Sequence, residues 1–364
     1  MRWVVVGNAE NRRVALFADA VRAAGHPAPR VLTWQRVLAD GGHAFAGDEL
    51  VRLESPGENA TTDALLRGVG APTRVEGSAR WYANFLAAVA SLRGGVRVDD
   101  SDELAVLFDK RRCHARLTAA EIPVPASPVT GPVRDWADVK EYLRAASMPR
   151  VFVKLAHGSS ASGVLALEST ASGRWQATTS AELGADGALH NSLRVRRYRD
   201  ERTIADIVDR LAPDGLHVER WIPKAALADR TADLRVVVIG GRATHVVVRT
   251  SRTPLTNLHL GGMRGDLDAV RAAAGDRWAE ALAICERAAA CFPATLCVGV
   301  DLLPGLDWRR FTVGEVNAFG DLLPGLTGLP GTPAEGMDTY AAQVAAAPHF
   351  RTATPRPATI GSPP

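Results

Sequence analysis

The sequence predicts an α/β protein in which a doubly wound N-terminal domain precedes domains of mixed α and β structure. Apolar runs at 3–7 and 30–34 flank an Ala- and Val-rich segment at 14–24, which is the pattern of a β-α-β unit. Further along, two apolar runs between 233 and 249 meet at the glycine pair 240–241, which predicts a hairpin. With 364 residues, of which 46% are hydrophobic, the chain is long enough for two or three cores.

Composition divides the chain into four regions. They are an N-terminal Rossmann-like domain at 1–103, a second domain at 104–215, a third at 216–347, and a disordered tail at 348–364. The second region is expected to open with a helix over 104–120 and to include a polar insertion at 169–200. A helix is predicted over 278–290 in the third region. Five prolines indicate disorder in the tail.

Asp301, Glu315 and Asn317, whose side chains end in oxygen ligands, lie on two consecutive strand-like runs, 297–303 and 311–319. Glu315 and Asn317, two positions apart on one strand, project to the same face of a sheet. If the two strands pair, Asp301 joins them. Two carboxylates and an amide oxygen suit Mg²⁺, which binds through a few carboxylates together with substrate phosphates. The cluster therefore predicts a nucleotide as well as a metal.

Lysine is scarce in this chain, since only four of its 43 basic Lys and Arg residues are Lys. Arg cannot replace Lys where a compact ammonium must enter a tight site, so each remaining Lys is a candidate for function. Lys140 lies on a polar amphipathic segment and is interpreted as a surface residue. Lys154 ends the apolar run 151–155 and directly precedes the small-residue loop 157–163, whose N–H groups are suited to phosphates.

The loop at 157–163 is not a Walker A motif. Gly158 and Gly163 have the outer glycine spacing, but Val164 and Leu165 stand where Lys and Ser or Thr are required. A Gly/Ser loop alone is more often only a turn. Together with Lys154 and a downstream metal cluster, it favours nucleotide binding.

Two further segments are candidates for the site. The polar stretch 250–262 is flanked by apolar strands, which is typical of an active-site loop. In the N-terminal domain, 52–59 and 80–84 are polar and aromatic beyond what packing needs, so they are candidates for a surface that faces the substrate. The alternative for both is a loop and a half-buried helix.

The order of these features resembles the ATP-grasp superfamily over residues 104–345. The matching positions are Asp109-Lys110, Lys154 with its glycine loop, 219–222, Asp233-Leu-Arg235, Arg249, Asn257 with Gly261-Gly262, Asp301, and Glu315-Val-Asn317. Each motif is weak alone, but their order is specific. Within the superfamily the chain is most similar to the branch of glutathione synthetase and the ribosomal-protein glutamate ligases. Longer signatures, such as 54–59 and 314–324, look like a bacterial branch whose substrate the sequence does not name.

The resemblance implies a role for each matching residue. The ATP phosphates would be held by Lys110 and Lys154 beneath a lid loop that includes His157, Gly158, Ser159, Ser160 and Gly163. The adenine hinge would consist of Glu219, Trp221 and Ile222, through its backbone. Two Mg²⁺ ions would be bound by Asp301, Glu315 and Asn317. The γ-phosphate and an acyl phosphate would be faced by Arg235, Arg249 and Asn257.

One position departs from the family pattern. Relatives often place an acidic residue just after the hinge to bind the ribose, whereas this chain has Pro223-Lys224 there. The residue that binds the ribose is therefore not assigned. Lys224 is interpreted either as a contact to phosphate or substrate or as a solvated loop lysine.

The function that the resemblance implies is an ATP- and Mg²⁺-dependent ligase. It would activate a carboxylate as an acyl phosphate and join it to an amine, with a small molecule or a peptide as substrate. Phosphoryl transfer needs positioning and charge neutralisation more than a covalent nucleophile. Two alternatives are a nucleotide-binding regulator or scaffold without turnover, and a kinase that releases a stable phosphate ester.

Composition restricts the remaining classes. A net charge of +3 does not suggest nucleic-acid binding. The chain contains no G-x-S-x-G, H-E-x-x-H or C-x-x-C motif, and its four Cys are irregularly spaced, which favours buried thiols over disulfides or metal ligands. We find neither a signal peptide nor an 18-residue apolar span. A cytoplasmic enzyme without a membrane partner is expected, and a homodimer is left open.

Overall fold

The structure is a computed structural model that describes residues 2–68, 73–159, 161–170, 172–185, 187–320 and 323–353, with side chains to residue 350. Within these ranges the chain forms three sheets flanked by helices. No described helix has the length and apolar character needed to cross a membrane. The four cysteines are free thiols, and all but Cys291 are buried, as the sequence predicted.

The N-terminal domain is the predicted doubly wound unit. Its elements are β1 (Arg2–Val6), α1 (Arg12–Ala23), β2 (Arg30–Leu32), α2 (Trp34–Asp40), β3 (His43–Leu53), α3 (Ala60–Arg67), α4 (Ser78–Ser91) and β4 (Leu92–Arg97). The strands are parallel in the order β2-β1-β3-β4. The second strand ends earlier than the predicted 30–34, because the Thr33 side chain caps α2 by accepting a hydrogen bond from the Arg36 N–H.

The predicted single helix over 104–120 is wrong, because two helices occupy this segment. They are α5 (Ser101–Leu107) and α6 (Lys110–Ala119). Asp109 breaks the helix between them: its backbone is extended and its carboxylate accepts hydrogen bonds from the N–H groups of Arg111 and Arg112. Lys110 consequently lies in the first turn of α6.

The second domain is an antiparallel sheet, the five-stranded sheet, covered on one face by two helices. Its elements are α7 (Trp136–Ala145), β5 (Arg150–Leu155), β6 (Leu165–Ser169), β7 (Trp175–Leu183), β8 (Leu189–Tyr198), α8 (Glu201–Leu211) and β9 (Leu216–Arg220). The last strand lies beyond the expected end of this region at 215, because it pairs with β5. The strand order is β8-β7-β6-β5-β9. The polar insertion at 169–200 supplies β7 and β8, so it is an integral part of this sheet. Apolar side chains of α7 and α8, such as Val139 and Ile204, pack on the strands.

The third domain is an antiparallel sheet, the six-stranded sheet. Its elements are β10 (Ala226–Leu227), β11 (Arg230–Ile239), β12 (Arg242–Ser251), β13 (Met263–Arg264), α9 (Leu267–Ala274), α10 (Trp278–Ala290), β14 (Cys297–Pro304), β15 (Phe311–Ala318) and α11 (Thr339–Ala353). The order is β13-β12-β11-β14-β15, with β10 beside β11. The predicted hairpin at 240–241 and the helix over 278–290 are confirmed.

The predicted tail begins too early, because α11 continues through Pro348 to Ala353. Its buried residues Val344 and Ala347 share a core with Phe17 of α1 and Val237 of β11. Phe350, within the predicted tail, packs against the same core, and this packing favours helix where composition favoured disorder. Residues 354–364 lie outside the described ranges.

Candidate active site

A cavity of about 500 Å³ opens where the N-terminal domain, the five-stranded sheet and the six-stranded sheet meet. This volume is typical of small-molecule sites. Lys224 and thirteen of the sequence-predicted site residues line it; the thirteen are Lys110, Lys154, His157, Gly158, Ser159, Glu219, Ile222, Arg235, Arg249, Asn257, Asp301, Glu315 and Asn317. Ser160 was also predicted and lies outside the described residues.

The three predicted metal ligands share one wall of the cavity because β14 and β15 pair. Asp301 and Glu315 are direct partners in the antiparallel register, and Asn317 follows two residues along β15, opposite Gly299. The Asp301 carboxylate accepts hydrogen bonds from Arg235 Nε at 2.5 Å and pairs with Arg249 Nη2 at 3.1 Å. Glu315 Oε1 accepts a hydrogen bond from Lys110 Nζ at 2.8 Å. Each carboxylate thus faces cations that are suited to phosphate.

The oxygen atoms of these three side chains fit Mg²⁺ better than they fit a metal ion whose ligands all come from the protein. In the described part of the chain, no group of three or more His, Cys, Asp and Glu side chains could enclose a metal ion. Two carboxylates and one amide make an open, all-oxygen set, which Mg²⁺ completes with water and phosphate oxygens. The identity of the metal stays a prediction.

The two candidate phosphate lysines approach the cavity from different elements. Lys110, at the start of α6, donates from Nζ to the Gly158 carbonyl at 2.7 Å as well as to Glu315. Lys154, on β5, places its Nζ 2.6 Å from Glu219 Oε1, with 13% of its side chain exposed. Both ammonium groups therefore line the cavity while paired with carboxylates.

The loop after β5 is attached to the N-terminal domain through His157. The imidazole stacks on Tyr82 of α4 with ring centroids 3.9 Å apart, and Nδ1 lies 3.0 Å from the Phe108 carbonyl. Burial lowers the pKa of His157 and favours the neutral ring. Gly163 has a left-handed φ of 65°, and a Cβ there would lie 3.0 Å from the side chains of Leu155 and Val75. Gly163 is therefore a packing and turn residue beside the cavity.

The predicted adenine hinge was assigned through its backbone, and the structure shows what its side chains contact. Glu219 is buried, and its carboxylate lies 3.1 Å from His217 Nε2 as well as next to Lys154. Burial alone would raise the pKa of Glu219, but Lys154 and His217 more than offset burial and lower it to about 2. Glu219 thus holds Lys154 in place.

Trp221 does not present its ring to the cavity. The indole packs against Phe152 with centroids 5.3 Å apart, and the Arg150 guanidinium lies 4.2 Å from its centre. The backbone N–H of Trp221 donates a hydrogen bond to the Arg150 carbonyl at 3.1 Å. Ile222 lines the cavity, so a backbone hinge at Ile222 stays a prediction while the Trp221 side chain has a packing role.

The Lys224 side chain is buried, which excludes the solvated loop lysine and leaves the contact to phosphate or substrate as a prediction. Its Nζ donates to Asp233 at 3.2 Å, to the Thr256 hydroxyl at 3.0 Å and to the Pro254 carbonyl at 3.3 Å. Burial lowers its pKa although Asp233 opposes this effect. Asp233 also accepts a hydrogen bond from Arg249 Nε at 2.8 Å. Lys224 thereby fastens the loop that carries Asn257.

The scarcity of lysine could have identified Lys224 as a site residue, because it is one of only four lysines in the chain. No feature of the sequence singled out Thr256 by itself. Asn257 lines the cavity, and its Oδ1 accepts a hydrogen bond from the His259 N–H at 2.8 Å. This contact holds the polar loop in a defined turn. The predicted active-site loop therefore lies at the cavity through residues 254–259.

The two candidate substrate-facing segments of the N-terminal domain have different outcomes. Ser55, Gly57 and Glu58, from the segment 52–59, line the cavity. Segment 80–84 is a half-buried helix face instead, since Trp81 stacks on Phe85 and Asn84 donates to the Leu66 carbonyl. The alternative packing interpretation is thus the correct one for 80–84.

A second buried charge cluster lies in the N-terminal domain, next to the cavity-lining residue Ser55. Glu54 is completely buried and is paired with Arg52, which stacks on Phe17 at 4.6 Å. Asp99 Oδ2 accepts a hydrogen bond from the Leu53 N–H at 2.9 Å. Burial raises the pKa of Asp99 to about 6, although Arg52 acts against this rise.

Replacing Asp99 by Asn should stabilise the protein more at neutral than at acidic pH. Because the folded-state pKa of Asp99 lies above its unfolded value of 3.8, its ionisation costs stability as the pH rises from about 4 to 6. The cost is fully present at pH 7, where it reaches about 3 kcal/mol, and Asn avoids it. Urea unfolding of both proteins below pH 4 and above pH 7 measures the difference. Asp48→Asn, at an exposed site where Arg2 lowers the pKa, should show the opposite trend.

Lys154→Arg should weaken nucleotide binding nearly as much as Lys154→Ala. The planar guanidinium of Arg cannot replace the compact Lys154 ammonium, which contacts Glu219 while only 13% of the side chain is exposed. We expect a loss of affinity for the ATP analogue AMPPNP of about tenfold or more, the equivalent of one charged hydrogen bond. Lys140→Arg is the control, because Lys140 is 41% exposed and pairs with Glu201 on the surface. Equal affinities for the two Arg variants would refute the lysine-scarcity hypothesis.

Comparison with known proteins identifies the fold. No family model and no curated protein sequence matches the chain. Among solved structures, D-cycloserine synthetase DcsG is 18% identical, with 96% of this chain and 99% of that chain covered and a TM-score of 0.57. The ATP-grasp ligase PsnB complexed with a minimal precursor is 18% identical, with 96% of this chain and 99% of that chain covered and a TM-score of 0.52. The macrocyclase MdnC bound to precursor peptide MdnA, from Microcystis aeruginosa MRC, is 12% identical, with 94% of this chain and 97% of that chain covered and a TM-score of 0.51. The chain has the ATP-grasp fold that its sequence predicted.

Proposed function

We propose that this chain with an ATP-grasp fold is an ATP- and Mg²⁺-dependent ligase that activates a carboxylate as an acyl phosphate and joins it to an amine. The observation that carries the proposal is one cavity wall on which Asp301 and Glu315 lie side by side while Lys110, Arg235 and Arg249 contact them. A wall of alternating carboxylates and cations suits a metal-bound polyphosphate.

The residues divide into two groups by what they would hold. Asp301, Glu315 and Asn317 would bind two Mg²⁺ ions together with the phosphates. When bound, Mg²⁺ supplies charge neutralisation at the phosphate oxygens. Lys110 and Lys154 would bind phosphate oxygens directly, as point charges.

The cations also explain how the site is kept ready for its ligand. In the structure, Lys110 pairs with Glu315, Lys154 with Glu219, and Arg235 with Asp301. Charges that are paired in this way avoid the cost of leaving an isolated charge in a partly buried wall. Binding of the nucleotide would exchange these carboxylates for phosphate oxygens without new groups having to be brought in.

Activation of the carboxylate would take place beside Arg249. Its guanidinium is held by Asp233 and Asp301, so its position is defined before the substrate arrives. A preorganised cation of this kind stabilises the charge that develops during phosphoryl transfer. The phosphate of the acyl phosphate is then the leaving group when the amine attacks, and no covalent protein nucleophile is needed.

The structurally similar proteins suggest two classes of substrate. PsnB and MdnC are complexed with precursor peptides, whereas DcsG is a synthetase of the small molecule D-cycloserine. For this chain we therefore propose a carboxylate and an amine that belong to a small molecule or to a peptide.

Trapping with hydroxylamine tests the proposal directly. The protein is incubated with ATP, Mg²⁺, hydroxylamine and individual carboxylates, which include amino acids, dipeptides and longer peptides. A hydroxamate together with ADP is expected for the true substrate, because hydroxylamine intercepts an acyl phosphate. ATP consumption with a stable phosphate ester and no hydroxamate would identify a kinase. Binding of AMPPNP without turnover of ATP across the whole panel would favour the regulator or scaffold.

A further inference from the structure

His217 on β9 is a buried histidine that was not among the residues assigned to the site from the sequence. Its register partner on β5 is Lys154, and Glu219 follows two residues later on the same face of β9. Because Lys154 and Glu219 line the cavity, the three side chains meet on the face of the five-stranded sheet that borders it. His217 and Glu219 are only 5% and 3% exposed.

The charge states of these side chains determine which atom donates. Burial lowers the pKa of His217, so the ring is neutral at neutral pH. Burial would raise the pKa of Glu219, but Lys154 and His217 lower it to about 2, so this carboxylate is ionised. An ionised carboxylate only accepts hydrogen bonds. The Nε2 atom of His217, 3.1 Å from Glu219 Oε2, therefore carries the hydrogen of the neutral ring.

The two oxygens of Glu219 have separate partners. Oε1 lies 2.6 Å from Lys154 Nζ, and Oε2 accepts the hydrogen bond from His217. Among the described residues, these are the only two side chains with a polar contact to the Glu219 carboxylate. Since Lys154 is the group being held, the hydrogen bond from His217 is what orients the carboxylate toward it.

The His217 ring is itself held by α6. The ring of His114 packs against it, with centroids 5.0 Å apart and planes inclined by 50°. His114 is fixed in turn, because its Nε2 lies 2.7 Å from the Pro125 carbonyl and donates a hydrogen bond to it. The direction in which His217 donates is therefore set by packing from a neighbouring element.

We propose that His217 is a positioning residue for nucleotide binding: its Nε2–H fixes the Glu219 carboxylate, which in turn keeps the Lys154 ammonium at the cavity. The inference rests on the proposed function in one respect, namely that Lys154 binds phosphate. His217 acts through two other side chains. It follows that a different side chain can replace His217 if its donor reaches the position of Nε2.

Variants of different reach test this consequence. The amide nitrogen of Gln extends as far as Nε2 of His, whereas the amide of Asn ends near the position of Nδ1. His217→Gln should therefore bind AMPPNP with Mg²⁺ nearly as tightly as wild type. His217→Asn should bind it about tenfold more weakly or worse, the equivalent of one hydrogen bond to a charged group. His217→Leu, which fills the space of the ring without a donor, should behave as His217→Asn does.

His245→Asn is the matched control. His245 on β12 is completely buried, and burial lowers its pKa as it does that of His217. Its Nε2 lies 3.0 Å from the Met337 carbonyl, and the residue is outside the lining of the cavity. A general effect of losing a buried imidazole would weaken AMPPNP binding in this variant too, whereas we expect wild-type affinity. Urea unfolding of each variant shows that it is folded.

A double-mutant cycle tests whether His217 acts through Lys154. In a Lys154→Ala protein, His217→Asn should cause no further loss of affinity for AMPPNP, because the ammonium that it positions is already absent. A purely structural role of His217 predicts that the two losses add.

Nuclear magnetic resonance without nucleotide keeps this inference separate from the proposed function. A protein labelled with ¹³C at Lys Cε gives four lysine signals, and Lys154→Arg identifies the signal of Lys154. Burial acts to lower the pKa of Lys154, but Glu219 more than offsets burial and raises it. The Lys154 signal should therefore titrate at lower pH in His217→Asn than in wild type, and at the wild-type pH in His217→Gln.

Two results would overturn the inference. One is that the Lys154 signal titrates in His217→Asn and His217→Leu as it does in wild type. The other is that His217→Gln loses as much affinity for AMPPNP as His217→Asn does, or that the losses add in the double-mutant cycle. The proposed ligase function fails separately, if wild type does not bind AMPPNP or if no carboxylate yields a hydroxamate. The lysine titration decides on His217 in that case.

Discussion

Glu315→Gln is expected to reduce ADP release by about a hundred- to a thousandfold, the loss seen when one preorganised charge-stabilising group is removed. The amide cannot supply the anionic oxygen that Mg²⁺ prefers, and it leaves Lys110 without the carboxylate that it contacts at 2.8 Å. The fold should be retained, because the Glu315 side chain is 24% exposed at the cavity rather than packed in a core. Coupled-enzyme measurement of ADP release, with circular dichroism to monitor folding, gives both quantities.

Glu286→Gln is the matched control for this variant. Its side chain is 26% exposed, and its carboxylate lies 3.5 Å from Arg242 at the start of β12, outside the lining of the cavity. A general effect of losing a half-buried carboxylate would appear in both proteins. Wild-type ADP release by Glu315→Gln would remove Glu315 from the metal site. Asn317→Ala should act in the same direction as Glu315→Gln.

Asp233→Asn is expected to lower the free energy of unfolding by about 3–5 kcal/mol, the range for breaking a buried ion pair from one side. Asp233 is 3% exposed and accepts hydrogen bonds from Lys224, Arg249 and Thr256. Burial would raise the pKa of Asp233, but Arg249 and Lys224 hold it below its usual range, so the ionised form is the one that stabilises the fold. Urea unfolding gives the change in free energy.

Two comparison variants define the cause of this loss. Asp229→Asn, at a 63% exposed site paired with Arg252, should change the unfolding free energy by no more than about 0.5 kcal/mol. Combining Asp233→Asn with Lys224→Met should recover part of the loss, because the second substitution removes one of the buried cations left without its carboxylate. An Asp233→Asn protein as stable as wild type would show that the charge network does not support the fold.

Local patterns in the sequence were sufficient for the elements whose causes are local. The hairpin at 240–241 and the helix over 278–290 were predicted correctly because turn chemistry and apolar periodicity act within a few residues. The break before Lys110 was missed although Asp109 is a good N-cap, since the apolar pattern continues across it. The start of the tail was placed at Pro348 because composition alone does not show that α11 packs against α1.

The sequence by itself determined which chemistry the chain can offer: two carboxylates and an amide at alternating strand positions, scarce lysines beside a glycine loop, and an order of motifs that resembles one superfamily. Only the tertiary structure decided which groups face each other. It turned the Glu219 carboxylate to Lys154, buried Lys224 on Asp233, and brought Arg13 and Glu58 to the cavity. The physical reason is that charge pairing and burial depend on distances between residues far apart in the chain, which periodicity and spacing do not encode.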